Sequence, residues 1–249
     1  MSTFFSFISR RDGKRFYSDW ELRKLMKFND CCDSHSWLSQ YFKNDDGSPH
    51  DDDKLNKWEW NPFTKKLKPD SIVFEESEDE VRAWCEGLDF KKIVEPLIIK
   101  PIVNPLLVKR KRKKPSKQEL QWLKQWDSVW ASMQVSAGYS VWNSVWESVR
   151  DSVWDSVRDS VRASVGDSVR ASVRDSVGYS VWESVRDSVW AYISTFFDIK
   201  YEHDFSSAEK LWEAGLVPSF DGTVWRLHAG EKAEIVWSGT VEELKTACK

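Results

Sequence analysis

Between Asp127 and Trp190 the chain repeats a four-residue unit, x-Ser-Val-x, almost without interruption. A period of four constrains the fold because it matches neither the two-residue alternation of a strand nor the turn of about 3.6 residues in an α-helix. In a strand, Ser and Val would point to opposite sides, leaving one Val per tetrad for a core. A β-solenoid with one tetrad per side is the alternative architecture, and it demands ladders of like residues at four-tetrad intervals. The fourth tetrad positions read Trp130, Trp146, Arg162, Gly178 along one such ladder and Trp142, Arg158, Arg174, Trp190 along another, so no ladder forms.

On one continuous helix each tetrad advances about 40°, the Val row winds around the axis, and the variable positions must define the face. Counted from Tyr139, Trp142, Trp146, Trp154, Trp182 and Trp190 then fall within an arc of roughly 120°, together with Tyr139, Tyr179, Ile193, Phe196 and Phe197. Arg158, Arg162, Arg170 and Arg174 lie mostly opposite, with Asp151, Asp155 and Asp159. Asp175 sits on the apolar side, and Gly138, Gly166 and Gly178 are the expected interruptions, each costing about 1 kcal/mol against Ala in a helix. Both flanks carry helix signals. Ser116 and Glu119 form a capping box ahead of Leu120, Leu123 and Trp126, and Ala191 to Phe197 continues the tract with bulky residues at helical spacing.

The expected fold is α+β, with two small α+β regions flanking a mainly α-helical Ser-Val tetrapeptide-repeat segment. Residues 1–108 form the N-terminal α+β domain. Ser18 caps a helix carrying Leu22, Leu25, Met26 and Phe28, Ser34 starts another with Trp37, Leu38, Tyr41 and Phe42, and Ser77 with Glu80 opens a third that Gly87 stops. Two aromatic strands surround Asn61-Pro62, and Ser71 to Phe74 is a further strand. Residues 93–108 leave as extended, Pro-punctuated chain. Residues 109–117 are a basic linker, 118–197 the repeat segment, and 198–249 a helix-hairpin-helix-like module. In that module Ser206 caps a helix ending at Gly215, Thr223–His228 pairs with Ala233–Trp237, and Thr240 with Glu243 caps a final helix.

Charge gives no global pull toward nucleic acid or membrane, since the net charge is −3. Thr3 to Ile8 is too short for a signal-peptide core, and Ile93 to Val108 holds Glu95, Lys100 and prolines that bar it from spanning a bilayer. Four cysteines, two of them adjacent at Cys31 and Cys32, do not make a disulfide framework, so a cytoplasmic setting is expected.

Candidate chemistry is sparse. Lys109, Arg110, Lys111, Arg112, Lys113, Lys114 and Lys117 can neutralise phosphates, with Trp122 and Trp126 near enough to stack on bases; the competing reading is a solvated linker, in reach of the acidic loop Asp51 to Asp53. Cys31, Cys32 and His35 lack the paired knuckles of a zinc site, and Asp45, Asp46 and Asp51 to Asp53 lack EF-hand spacing, so no metal or cofactor is expected. His203 with Glu202, Asp204 and His228 is the best acid/base set, and hydrolase-type activity around His203 and His228 is the enzymatic alternative. His228 alternates with Trp225 and Leu227 and so faces solvent. No nucleophile elbow, phosphate loop or zinc signature accompanies it, and an enzyme is not expected.

The expectation is a non-catalytic interaction or assembly protein using a Trp-rich helical face: Tyr139, Trp142, Trp146, Trp154, Tyr179, Trp182 and Trp190. Self-association or a protein partner follows, because large apolar faces are rarely left bare. The tetrad also implies a twelve-base DNA repeat able to gain or lose units, which suits a scaffold better than an active site. A nucleic-acid-binding protein using the basic segment is the alternative.

Overall fold

The structure, a computed structural model, describes residues 5–25, 35–93, 97–135, 157, 158, 161, 162, 166–178 and 181–249, the side chains of Trp20, Arg23, Lys24, Gln134, Val135 and Trp182 apart. It is a mixed α+β protein with two antiparallel sheets, and no closed solenoid or barrel forms among the described residues. The chain divides into two compact units, residues 1–100 with 150–157 and residues 101–149 with 158–249. That division falls inside the Pro-punctuated run 93–108.

In the first unit a four-stranded sheet has the order β2-β1-β3-β4, with β1 at Phe5–Ser9, β2 at Arg15–Phe16, β3 at Asn56–Asn61 and β4 at Lys66–Ser71. Every residue of β1 is buried, because the strand is paired on both edges and covered on both faces. Phe5 and Phe7 pack against Phe90 and Trp84 at ring distances of 5.2 and 4.8 Å. On the other face Ile8 joins Leu38 and Leu55. Trp58 and Trp60 are buried on β3, each contributing roughly 4 to 6 kcal/mol of apolar burial.

Helices α1 (Trp20–Leu25), α2 (His35–Tyr41), α3 (Glu78–Glu86) and α4 (Phe90–Ile93) belong to this unit. The cap of α1 is Asp19, whose carboxylate accepts from Leu22 N at 2.8 Å, in place of Ser18, and Leu25 is exposed. Met26, Phe28 and Ser34 lie outside the described residues. Ser77 caps α3 and Gly87 ends it, as the sequence signals. The strand expected at Ser71 to Phe74 is instead the end of β4 followed by irregular chain, which Asn56 holds by accepting from Val73 N and Phe74 N.

In the second unit α5 (Lys117–Val135) opens with the reciprocal Ser116–Glu119 cap and runs through the first tetrads. Helices α6 (Asp167–Val177) and α7 (Trp182–Ser194) carry later ones, and α8 (Ser206–Glu213), β5 (Val217–Phe220), β6 (Val224–Ala229), β7 (Glu234–Thr240) and α9 (Val241–Ala247) complete the unit. The sheet order is β5-β6-β7. The expected hairpin is β6-β7, and β5 adds a strand at its edge; Pro218 is tolerated there because only one side of β5 needs a ladder. Ser206 is the first helical residue and not the cap: Phe205 holds that position without a side-chain bond, and Asp204 accepts from Ser206 N at 2.9 Å in the turn before it. The capping box of Thr240 and Glu243 is present in full. Gly215 has φ +76°, and a Cβ there would meet the Val108 side chain at 2.9 Å, so only glycine lets the chain turn against the 101–108 segment.

Candidate functional site

The tetrads pack by a rule that a single straight helix does not anticipate. Val161, Val169, Val173, Val181, Val185 and Val189 are all buried, so the Val row forms the inner face and the fourth positions do not. The reason is length. Helices α6 and α7 span 11 and 13 residues, over which a drift of about 40° per tetrad accumulates to only about 120°. Gly178, at φ +83°, then ends α6 and restarts the count, with its N–H donating to Arg174 O. Gly166 has helical φ and ψ and stands at the N-terminal boundary of α6. A Cβ at Gly166 would lie 3.6 Å from Val189 Cγ1 of α7, an ordinary contact.

The Ser row fills a different need in each helix. Ser184 and Ser188 of α7 are buried, and their hydroxyls donate back to Val181 O at 2.9 Å and Val185 O at 2.8 Å. Ser184 Oγ also accepts from Phe220 N at 2.7 Å, so a tetrad serine satisfies the edge strand β5. Small side chains with an internally satisfied hydroxyl let α7 approach the sheet closely.

At the centre of this unit two indoles and two carboxylates clasp three elements. Trp130 Nε1 of α5 donates to Asp187 Oδ2 of α7 at 3.1 Å, and Trp225 Nε1 of β6 donates to Asp127 Oδ1 of α5 at 2.8 Å. The Trp130 ring meets Trp225 edge-on at 5.9 Å and Phe220 at 5.3 Å. Burial pushes the Asp187 carboxyl up to about 6, against the Trp130 hydrogen bond and Arg186. Its Oδ1 is buried and accepts no hydrogen bond. Tyr192 of α7 stacks on Trp212 of α8 at 4.8 Å, and both hold Val103, whose N donates to the tyrosine oxygen and whose O accepts from the indole, each at 2.8 Å.

Of the residues expected to form the Trp-rich face, Tyr139, Trp142, Trp146, Trp154 and Tyr179 lie outside the described residues, as does the side chain of Trp182. Trp190 is half-buried. Trp126, Trp130, Trp212 and Trp225 instead pack inside their own unit.

The basic segment is only partly a solvated linker. Arg110 is folded in: its guanidinium donates to Glu119 Oε1 at 2.8 Å and to Ala214 O. Burial raises the Glu119 carboxyl, but the bonds from Arg110 and Ser116 outweigh it and leave it below the usual carboxylate range. Lys117 Nζ donates to Lys249 O, and Lys113 lies 3.7 Å from Glu234. Lys109, Lys111, Arg112, Lys113 and Lys114 are exposed. Lys109, Arg110, Lys111 and Arg112 line, with Ser116 and Glu119, an open groove of about 440 Å³. In the first unit, Asp51 and Asp52 pair with Lys54 and Lys57.

The histidine expected on a solvent face is fully buried. The pairing with β5 runs unbroken through Leu227 and His228, so the two keep opposite faces, and His228 is buried because Ser219 of β5 and the turn at Ala233 close over its side. His228 Nδ1 bonds Ala233 O at 2.9 Å and Nε2 bonds Ser219 Oγ at 2.8 Å. Burial pushes its pKa down to about 4. The pair is sealed from solvent, while Asp204 is engaged at α8 and His203 sits against Phe205. His203 and His228 therefore have separate surroundings. Among the described residues no group of three His, Cys, Asp or Glu side chains is placed to hold a metal, and Cys31 and Cys32 lie outside them. Asp46 caps its own loop by accepting from Ser48. Among the described residues no helix is long and apolar enough to cross a membrane.

Compared with known proteins, the chain matches no family model, no curated protein and no solved structure.

Proposed function

We propose that this chain is a non-catalytic interaction or assembly protein in which the tetrads are the pairing element. The observation that carries the reading is the bond from Trp130 to Asp187, 57 positions apart, which joins two D-S-V-W tetrads. Tetrads bind one another and the sheet through their first, second and fourth positions, so further tetrads with Trp142, Trp146, Trp154, Trp182 and Trp190 supply the same groups to a second copy or a partner. The free, buried thiols of Cys85 and Cys248 support a cytoplasmic setting. Light scattering of the intact chain tests it. Trp146→Ser with Trp182→Ser lowers the mass toward a single chain; an unchanged mass removes the Trp side chains from the contact.

A second reading is favoured by the groove at residues 109–116, where the one lining carboxylate is already neutralised by Arg110 while five neighbouring cations stay exposed. That surplus suits the phosphates of a nucleic acid. Replacing Lys109, Lys111 and Arg112 by Gln lowers single-stranded DNA affinity and flattens its salt dependence by about two to three counterions. Equal binding by both proteins, or none by the wild type at low salt, rejects this reading.

A further inference from the structure

The tetrads differ at their first and fourth positions, and the described ones sort into two behaviours. In the two tetrads that open with an acid, close with Arg and are described at both ends, the two pair with each other: Asp167 with Arg170 and Glu183 with Arg186, both at i,i+3 and with their acids exposed, and Asp167 takes Arg162 as well at 3.2 Å. Arg174 closes a tetrad that opens with Ala171, and it turns to the next acid, Asp175, at 3.0 Å. Where Trp closes the tetrad, the acid has no cation of its own. Asp127 and Asp187 are those acids, and each accepts an indole N–H from another element. Arg186 immediately precedes Asp187 but is taken by Glu183.

We propose that the fourth residue of a tetrad sets its partner: Arg closes the first-position carboxylate within the helix, and Trp leaves it as an acceptor for an indole of another segment. A D-S-V-W tetrad is then a docking unit for a Trp-bearing helix or strand, and a tetrad closed by Arg keeps its carboxylate out of such bonds. The cause is geometric. A guanidinium at i+3 reaches the carboxylate along the same helix face and draws it outward, whereas the indole at i+3 offers its single N–H elsewhere. The burial of Asp187 with one oxygen unsatisfied shows that no local cation has claimed it. The rule operates inside one chain and stands or falls independently of whether the protein assembles.

Hydrogen exchange of the Trp130 indole N–H, followed by NMR in the full chain and assigned with Trp130→Phe, tests the proposal. Trp190→Arg gives Asp187 a cation at i+3 and speeds exchange at least about tenfold. Should that variant not fold, Glu183 provides the same test, because it is exposed. Glu183→Ala releases Arg186 to Asp187, its neighbour in sequence as Asp175 is of Arg174, and speeds exchange; adding Arg186→Gln restores protection. Exchange in Glu183→Ala that stays within about twofold of wild type, or that Arg186→Gln does not restore, would overturn the rule.

Discussion

Helices α6 and α7 are written in the same four letters and meet opposite fates. In α6 Ser168, Ser176 and the acids Asp167 and Asp175 are exposed, Ser172 is half-buried, and Arg side chains occupy the acids. In α7 the second and third positions are both buried, and Asp187 is buried with them. The difference comes from what lies alongside: α7 packs against α6, α8 and β5, so three of its sides are covered. A tetrad therefore has no fixed inside. Val is buried in both helices, and neighbours decide whether Ser becomes a packing residue or a solvent one.

The largest expected effect comes from changing the same letter in both helices. Ser184→Val strips the acceptor from Phe220 N and overfills a closed interface, and it costs about 2 to 4 kcal/mol by urea denaturation. Ser176→Val, on α6 and exposed, stays within about 0.5 kcal/mol. Equal costs would mean that the two helices are covered alike.

The acids come next. Asp187 has a folded-state pKa raised to about 6 from 3.8, so the folded chain holds this proton more tightly than the unfolded chain. Its contribution is fully present below about pH 4 and is lost as pH rises through about 6. Asp187→Asn removes that loss and stabilises the protein at pH 7.5 by about 2 kcal/mol relative to its effect at pH 4.5. Asp167→Asn, in an exposed pair, changes stability by less than about 0.5 kcal/mol at either pH. A pH-independent Asp187→Asn difference would show that the carboxyl is not desolvated.

Glycines give the smallest and most local contrast. Gly178→Ala costs about 1 kcal/mol although no atom lies within 4 Å, because its φ is +83°. Gly166→Ala gains about 0.5 kcal/mol, since its backbone is helical and the nearest contact is an ordinary 3.6 Å. Reversed signs would move the turn from Gly178 to Gly166.

Short-range signals were the legible part of this fold. The caps at Ser77, Ser116 and Thr240 are read correctly because each involves residues three apart. The β6-β7 hairpin is legible from its alternation. Strand β1 is not, because a strand covered on both faces carries no alternation to read. His228 is misplaced because alternation gives the face of a strand residue and not what covers that face, here Ser219 and the turn at Ala233. The Val face of the tetrads is hidden by assuming one continuous helix, when the turn at Gly178 keeps each piece too short for the phase to drift far. Arg110 is illegible for another reason: its partners, Glu119 and Ala214, are brought to it by tertiary packing, and nothing in a run of cations distinguishes the buried one.

Association of the intact chain is the most direct test of the tetrads as pairing elements. Sedimentation velocity of the wild type across a wide dilution series, with acrylamide quenching of its indoles, separates the outcomes. The tetrad account predicts species heavier than one chain at the upper concentrations, dissociating on dilution as indole quenching increases. A single-chain species at every concentration, with indoles that stay shielded throughout, would contradict it and assign the tryptophans to an intramolecular core.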